Sequence, residues 1–269
     1  MNYCIDHDYH LHSRLSSCSN DPAQTVGALL RYGHQNGLER LVLTDHFWDE
    51  TIPGASPWYK KQNFSHIRQV LPLSQDNKTA LYFGCEGDMD KNGVIGISPQ
   101  RADTFDFIVL PTTHLHMTGF TIDPDGTGTQ QRAKLWIQRL EWLLDSSLPL
   151  RKVGLAHLTC PLIDKSTHDG ALRVLDAIED PRLGDLFTRA AAAGIGIELN
   201  DNPDRYDDAD LPRLYRPYRI AKECGCRFYL GSDAHHPKEL EGAMHRFKIM
   251  IEALELTEND KYHFPHEKK

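Results

Sequence analysis

The hexapeptide DYHLHS, residues 8–13, ends an apolar stretch that opens at Tyr3 and sets two histidines, His10 and His12, two positions apart. A strand gains nothing for its own packing by ending in such a pair. What the two imidazoles hold is therefore the question that organises the rest of the chain. The same kind of ending recurs in LTDH (Asp45, His46), FGCEGD (Glu86, Asp88), LPTTHLH (His114, His116), LAHL (His157), IELND (Asn200, Asp201) and LGSDAHH (Asp233, His235, His236). One such ending reads as a turn residue or a satisfied hydrogen-bonding group, whereas a series with His, Asp or Glu at corresponding places points to a shared site.

The runs that carry these endings are strand candidates: residues 3–10, 40–44, 80–85, 105–111, 153–157, 195–199 and 227–231, seven in all. Between most of them lie stretches of helical period. These are residues 22–36, with Asp21 as cap and Pro22 in the first turn, then 64–73, 130–145, 172–193 with a break at Pro181, 212–224 and 237–254. Gly194 and Gly225 stand where helix stops are expected. The connection over residues 86–104 is rich in Gly and Asp and shows no helical period. Strands alternating with helices predict βα units around a parallel sheet, which either closes into a barrel or stays open. In an α/β barrel the chemistry gathers at the C-terminal strand ends, which is where the polar endings fall.

Composition bounds the reading. A chain of 269 residues with 40% hydrophobic content can bury one sizeable core, so a single domain over residues 1–269 is expected. A net charge of -8 argues against a protein that grips nucleic acid through its phosphates. There is no signal-like start and no apolar run long enough for a bilayer, so the protein is expected to be soluble and cytoplasmic, with no membrane partner. The six cysteines, at positions 4, 18, 85, 160, 224 and 226, are scattered and argue against a disulfide framework. Fifteen histidines raise the expectation of metal binding.

Imidazole and carboxylate together are the donor set of Zn, Mn and Fe(II). Several of each without clustered thiolates predict a hydrolytic multi-metal centre rather than a structural zinc. A carboxylate such as Glu86 can bridge two cations about 3.5–4 Å apart, which makes a hydroxide available at neutral pH.

The series HLHS, TDH, GCE, TTH, AH and GSDAHHP, in this order over almost the whole chain, resembles the PHP superfamily (polymerase and histidinol phosphatase domains). The resemblance implies an α/β fold, a distorted seven-stranded (β/α) TIM-like barrel, with a trinuclear metal site. It further implies that His10, His12, Glu86 and Asp233 hold one metal, that Glu86 bridges to a second held by His114 and His157, and that His46 and His235 hold a third. The cofactors would be two or three divalent metals, Zn, Mn or Fe. His116 competes with His114, which the motif favours because it follows the strand directly; a core histidine is the alternative for His157. The chain departs from the family in one place. Where the family supplies a further His or Asp shortly after the HxH pair, this sequence reads SRLSSCSNDP, leaving Cys18, Asp21 or no residue to complete the third site.

Asp45 is expected to orient an imidazole by accepting its other N–H. Asp88, Asp90 and Asn92 resemble a calcium loop but lack its glycine spacing and distal glutamate. The aromatics of HFWDETIPGASPWYKK (residues 46–61) read either as a pocket wall or lid or as an exposed loop clamp, and Lys60, Lys61, Arg14 and Arg205 are the cations to examine for phosphate binding. The activity implied is hydrolysis of a small phosphomonoester, histidinol-phosphate-like, nucleotide or sugar phosphate, by a metal-activated hydroxide. Two alternatives accompany it: a phosphodiesterase or exonuclease of the PHP type, against which the missing basic stripe counts, and a non-catalytic metal domain, against which the nearly complete donor set counts. An amidohydrolase would want a lysine at a mid-barrel strand end, and none is so placed.

Overall fold

Short, β-branched and aromatic runs carry the chain back and forth through its own centre, and all of them pair in parallel. β1 (His7–Leu11), β2 (Arg40–Leu43) and β3 (Ala80–Phe83) form one sheet in the order β1-β2-β3. β4 (Cys85–Glu86), β5 (Ile108–Pro111), β6 (Val153–Ala156), β7 (Gly196–Leu199) and β8 (Arg227–Leu230) form a second, in sequence order. The structure is a computed structural model that describes residues 1–19, 21–74 and 77–263.

The eighth strand arises from a break within the expected run 80–85. Gly84 N donates to Leu43 O of β2, while Cys85 N donates to Phe107 O ahead of β5, so the chain changes sheets across one residue. A Cβ at Gly84 would stand 2.6 Å from Phe107 O and 2.8 Å from Val42 Cγ1, which is why glycine occupies the crossing. The two sheets also touch at their edges. Isolated parallel bridges join His46 to Glu86 and Leu11 to Ala234, and Asp233 N donates to His10 O at 2.8 Å. These are single bridges rather than continuous ladders.

Side chains from both sheets, Tyr9, Val42, Phe107, Val109, Ala156 and Tyr229, form a small buried cluster of their own with Tyr262. The larger apolar core takes up the outer strand residues and the helices. In β1, Asp8 lies opposite Leu41 and Leu11 opposite Leu43, so three steps on β1 match two on β2. This bulge breaks the alternation of faces. It lets Tyr9 join the buried cluster while the next residue, His10, faces the polar end.

The helices follow the sequence reading with shifts that have local causes. The helix expected from Pro22 starts instead as α1 (Val26–Asn36), capped by Thr25. The chain is held back because Gln24 turns inward, fully buried, and donates to His12 O (2.9 Å) and Ala234 O (3.0 Å). α2 (Phe64–Ile67) passes into a 3₁₀ turn, and α3 (Pro99–Ala102) is one turn within the stretch expected to lack a helix. α4 (Thr129–Leu144) stands as expected. The stretch 172–193 divides into α5 (Gly170–Asp176) and α6 (Asp180–Ala193), with Pro181 in the first turn of α6, where its missing N–H has no partner to lose. α7 (Leu211–Glu223) precedes β8, and the last expected helix divides at Gly242 into α8 (Pro237–Glu241) and α9 (Ala243–Ala253). Among the described residues no helix is long and apolar enough to cross a membrane.

Gln24 ties β1 to the loop after β8 beneath the polar end of the strands. Gln24→Ala leaves two carbonyls without that donor and should lower stability by about 1–3 kcal/mol. Urea unfolding followed by circular dichroism should show a lower midpoint with an unchanged slope; an unchanged midpoint would mean that the seam does not depend on this side chain.

Candidate metal centre

Glu86, at the end of β4, is buried, yet neither carboxylate oxygen has a hydrogen-bond partner. Its two oxygens face two different sets of imidazoles. Oε2 lies 2.8 Å from His46 Nδ1, 3.3 Å from His12 Nε2 and 3.5 Å from His10 Nε2. Oε1 lies 3.5 Å from His157 Nε2 and 3.8 Å from His114 Nε2. Asp233 Oδ1, also without a hydrogen bond, stands 3.0 Å from His12 Nε2 and 3.3 Å from His10 Nε2. Donor atoms within 4.8 Å of one another fall into three groups: His10, His12, Glu86 and Asp233; Glu86, His114 and His157; and His12, His46 and His235.

The far sides of the rings are engaged, and this fixes which nitrogen faces inward. His10 Nδ1–H donates to Glu198 at 2.7 Å, and His114 Nδ1–H donates to Asp88 at 2.9 Å. His235 Nδ1–H donates to the Asp233 carbonyl at 2.8 Å. Ser16 gives its single proton to Asp45, so its oxygen accepts from His12 Nδ1–H at 2.8 Å. His157 Nδ1 lies 2.7 Å from Thr113 Oγ1. In His10, His12, His114 and His235 it is therefore Nε2 that points into the cluster, the arrangement that outer partners impose on metal-binding histidines. Buried polar atoms without partners are strongly disfavoured. Here Glu86 Oε1 and Oε2, Asp233 Oδ1, His46 Nδ1 and His235 Nε2 converge without hydrogen bonds. This N/O donor set fits divalent cations of the Zn, Mn or Fe(II) type.

Glu198, within β7, holds two of these groups at once. Oε1 accepts from His10 Nδ1 and Oε2 from His157 N at 2.7 Å. A Cβ on Gly231 would lie 2.0 Å from Oε1, so the carboxylate fits because residue 231 is glycine. His157 (φ 27°) and Asp233 (φ 53°) both carry left-handed backbone, strain of a kind that persists where the surroundings enforce it. Behind His114, Asp88 accepts from Arg139 at 2.6 Å and from Tyr59 at 3.0 Å, with Asp88 and Arg139 both fully buried.

The protein's own charges are strongly coupled. Burial would raise the Glu86 carboxyl, but His46 and His10 hold it well below the usual carboxylate range. Asp233 is likewise held low against burial, chiefly by His10 and His235. Burial would depress His10, yet Glu198, Asp233 and Glu86 lift it well above the ordinary imidazole value. His12 rises to about 9 against burial under Asp233 and Glu86. Burial and the positive charge of His12 push His235 down to about 3.

All eight residues expected from the sequence thus meet in one place. Other expectations need correction. Cys18 lines the adjoining pocket but belongs to none of the three donor groups, and Asp21 faces away, paired with His236 at 2.7 Å. His12 lies within reach of His46 and His235 in the third group, but it also belongs to the first. Asp45 reaches His12 through Ser16 rather than binding an imidazole directly. Asp88 positions His114, Asn200 donates to Gly231 O, and Asp201 accepts from Tyr218. Arg14, Lys60, Lys61 and Arg205 are exposed, and none lines the pocket. Glu198 and Arg139 went unread, although each left a trace: a lone carboxylate inside an apolar strand, and an arginine on the same helix face as Trp136, Leu140 and Leu143.

The pocket over the cluster measures about 420 Å³. Its floor is His46, Glu86, His114, Asp233 and His235, and its walls are Cys18, Trp58, Tyr59, His116, Met117 and Leu162. The rings of Trp58 and His46 meet in a T-shaped contact with centres 4.9 Å apart, so of the two tryptophans in the 46–61 stretch Trp58 forms a wall while Trp48 is buried in the core.

No family model and no curated protein matches this chain. Its fold is similar to that of a histidinol phosphate phosphatase from Lactococcus lactis subsp. lactis Il1403, whose crystal structure is a complex with zinc, L-histidinol and phosphate. The TM-score is 0.58 at 18% identity, with 93% of each chain covered. The fold is shared. A structure of an uncharacterized protein, at TM-score 0.39 and 10% identity over 94% of this chain and 71% of that one, lies further off.

Two outcomes follow from this geometry. Arg139→Met strands the buried Asp88 carboxylate and should cost about 3–5 kcal/mol of stability, much of it recovered in the double variant with Asp88→Asn. Urea unfolding of the three proteins checks this, and a single variant as stable as the wild type would contradict it. Because His12, raised to about 9, is protonated at neutral pH, a cation must displace its proton. Zinc loading at pH 7 should release at least one proton per chain and tighten as pH rises from 6 to 8; uptake without proton release would contradict the charge balance.

Proposed function

We propose that this chain is a metal-dependent phosphatase of the PHP type that hydrolyses a small phosphomonoester. The observation that carries the reading is the division of the Glu86 carboxylate, one oxygen toward His10, His12 and His46 and the other toward His114 and His157. That is the placement of a carboxylate bridging two cations. His10, His12, Glu86 and Asp233 would hold one metal, and Glu86, His114 and His157 a second. His46 and His235 would hold a third more weakly, because the single inward lone pair of His12 cannot serve two cations while its Nδ1 is bound to Ser16. Zinc, manganese and iron all suit these donors.

The fold supports the same reading. With β3 and β4 counted as one strand broken at Gly84, seven strands follow one another. The bridges His46 to Glu86 and Leu11 to Ala234 stand at the two places where the sheets meet, as in a distorted seven-stranded barrel. A single domain over residues 1–269 and a cytoplasmic setting, in which the free cysteines stay reduced, complete the reading.

Divalent cations bound here supply positive charge to the phosphate oxygens and bring the pKa of a water toward neutrality. The chain's residues do the rest. Glu198, Ser16, Asp88 and Thr113 keep the imidazoles aimed, and Trp58 and Tyr59 line the pocket beside the floor. In hydrolysis the bond from phosphorus to the alcohol oxygen breaks and one from phosphorus to the water oxygen forms. A proton passes to the departing alkoxide, giving alcohol and inorganic phosphate.

Purified protein loaded in turn with Zn, Mn and Fe(II) should release phosphate from monoesters faster than it cleaves a matched aryl diester. Glu86→Gln should lower that rate by more than the roughly tenfold to hundredfold loss expected for Asp88→Asn, which perturbs one ligand's partner. Faster diester cleavage with every metal would replace this reading with a phosphodiesterase. Equal losses in the two variants would displace Glu86 from the bridging role.

A further inference from the structure

The walls of the pocket say what kind of alcohol the phosphate is attached to. Above the floor of donor residues stand Cys18, Trp58, Tyr59, His116, Met117 and Leu162, with no lysine, arginine, aspartate, glutamate or amide among them. The hydroxyl of Tyr59 is already spent on Asp88 at 3.0 Å. The Glu86 and Asp233 carboxylates belong to the donor groups, so neither is free to pair with a substrate ammonium. The polar atoms left on the walls are one thiol and one imidazole. The other lining side chains, Trp58, Met117 and Leu162, are apolar over most of their surface.

Resting on the phosphatase reading, we propose that the substrate is the phosphomonoester of a flat, uncharged, largely apolar alcohol whose ring lies against Trp58, Met117 and Leu162. A sugar phosphate would bring several hydroxyls to a wall whose side chains offer only a thiol and an imidazole, and each unmatched polar group costs about tenfold or more in discrimination. Among the described wall side chains an amino-alcohol phosphate would find no carboxylate for its ammonium, and a second phosphate or carboxylate would find no lysine or arginine, Lys165 acting on His116 from outside the lining. An aromatic or alkyl group instead trades its water for the wall, which favours binding in proportion to the area covered. The pocket, about 420 Å³, has room for the phosphate on its floor and a ring above it.

Aryl phosphates have intrinsically good leaving groups, so the test uses alkyl esters and phosphonates. With the zinc-loaded full chain, inhibition constants are measured for benzylphosphonate, 2-hydroxyethylphosphonate and 2-aminoethylphosphonate, and kcat/KM for benzyl phosphate, glycerol phosphate and histidinol phosphate. Benzylphosphonate should bind at least about tenfold tighter than the other two, with benzyl phosphate the best substrate. Trp58→Ala should shrink that ratio, and Leu162→Glu should turn it toward the aminoethyl compound. Turnover with glycerol phosphate or histidinol phosphate preferred would overturn the inference and leave the phosphatase reading standing. A benzyl preference that survives both substitutions would also overturn it, because the walls would not be its source. If no ester is hydrolysed and no phosphonate binds, the phosphatase reading falls and takes the inference with it.

Discussion

A buried carboxylate with no hydrogen bond to either oxygen is among the costliest groups a fold can carry. Glu86 is such a group. It is tolerable because five imidazoles surround it, and four of them, His10, His12, His114 and His157, are in turn held by an outer layer of Glu198, Ser16, Asp88 and Thr113. Removing any one of those partners frees a ring to turn its lone pair away. The outer layer is therefore as much a part of the centre as the rings themselves.

Much of the irregular backbone can be read as serving this arrangement. The β1 bulge turns His10 inward beside Tyr9, Gly84 lets the chain change sheets immediately before Glu86, and Gly231 leaves space for Glu198. His157 and Asp233 take up left-handed backbone where their N–H groups are captured by Glu198 and by His10 O. The same features that break regular strand geometry thus aim donors at one point.

The donors themselves were legible in the sequence because strand ends are marked by a change from apolar to polar residues, and eight of those marks were His, Asp or Glu. Their outer partners were harder to read. Glu198 lies inside a strand and Arg139 on a helix, far from the motifs, and nothing local announces that they reach the centre. At the third site the sequence left Cys18, Asp21 or no residue open, and neither Cys18 nor Asp21 lies among the converging donor atoms. Gln24 is a similar case. Pro22 and Asp21 are good helix-start residues, but two carbonyls at the sheet seam draw Gln24 inward and delay the helix to Val26. Tertiary hydrogen bonds of this kind leave no periodic trace.

The central claim is that the groups around Glu86 bind divalent cations. Its most direct test is elemental analysis of protein purified gently without chelator and dialysed to remove loosely held ions. At least two equivalents of Zn, Mn or Fe per chain would agree with two well-furnished sites sharing Glu86. A content below one per chain that zinc addition does not raise would contradict it.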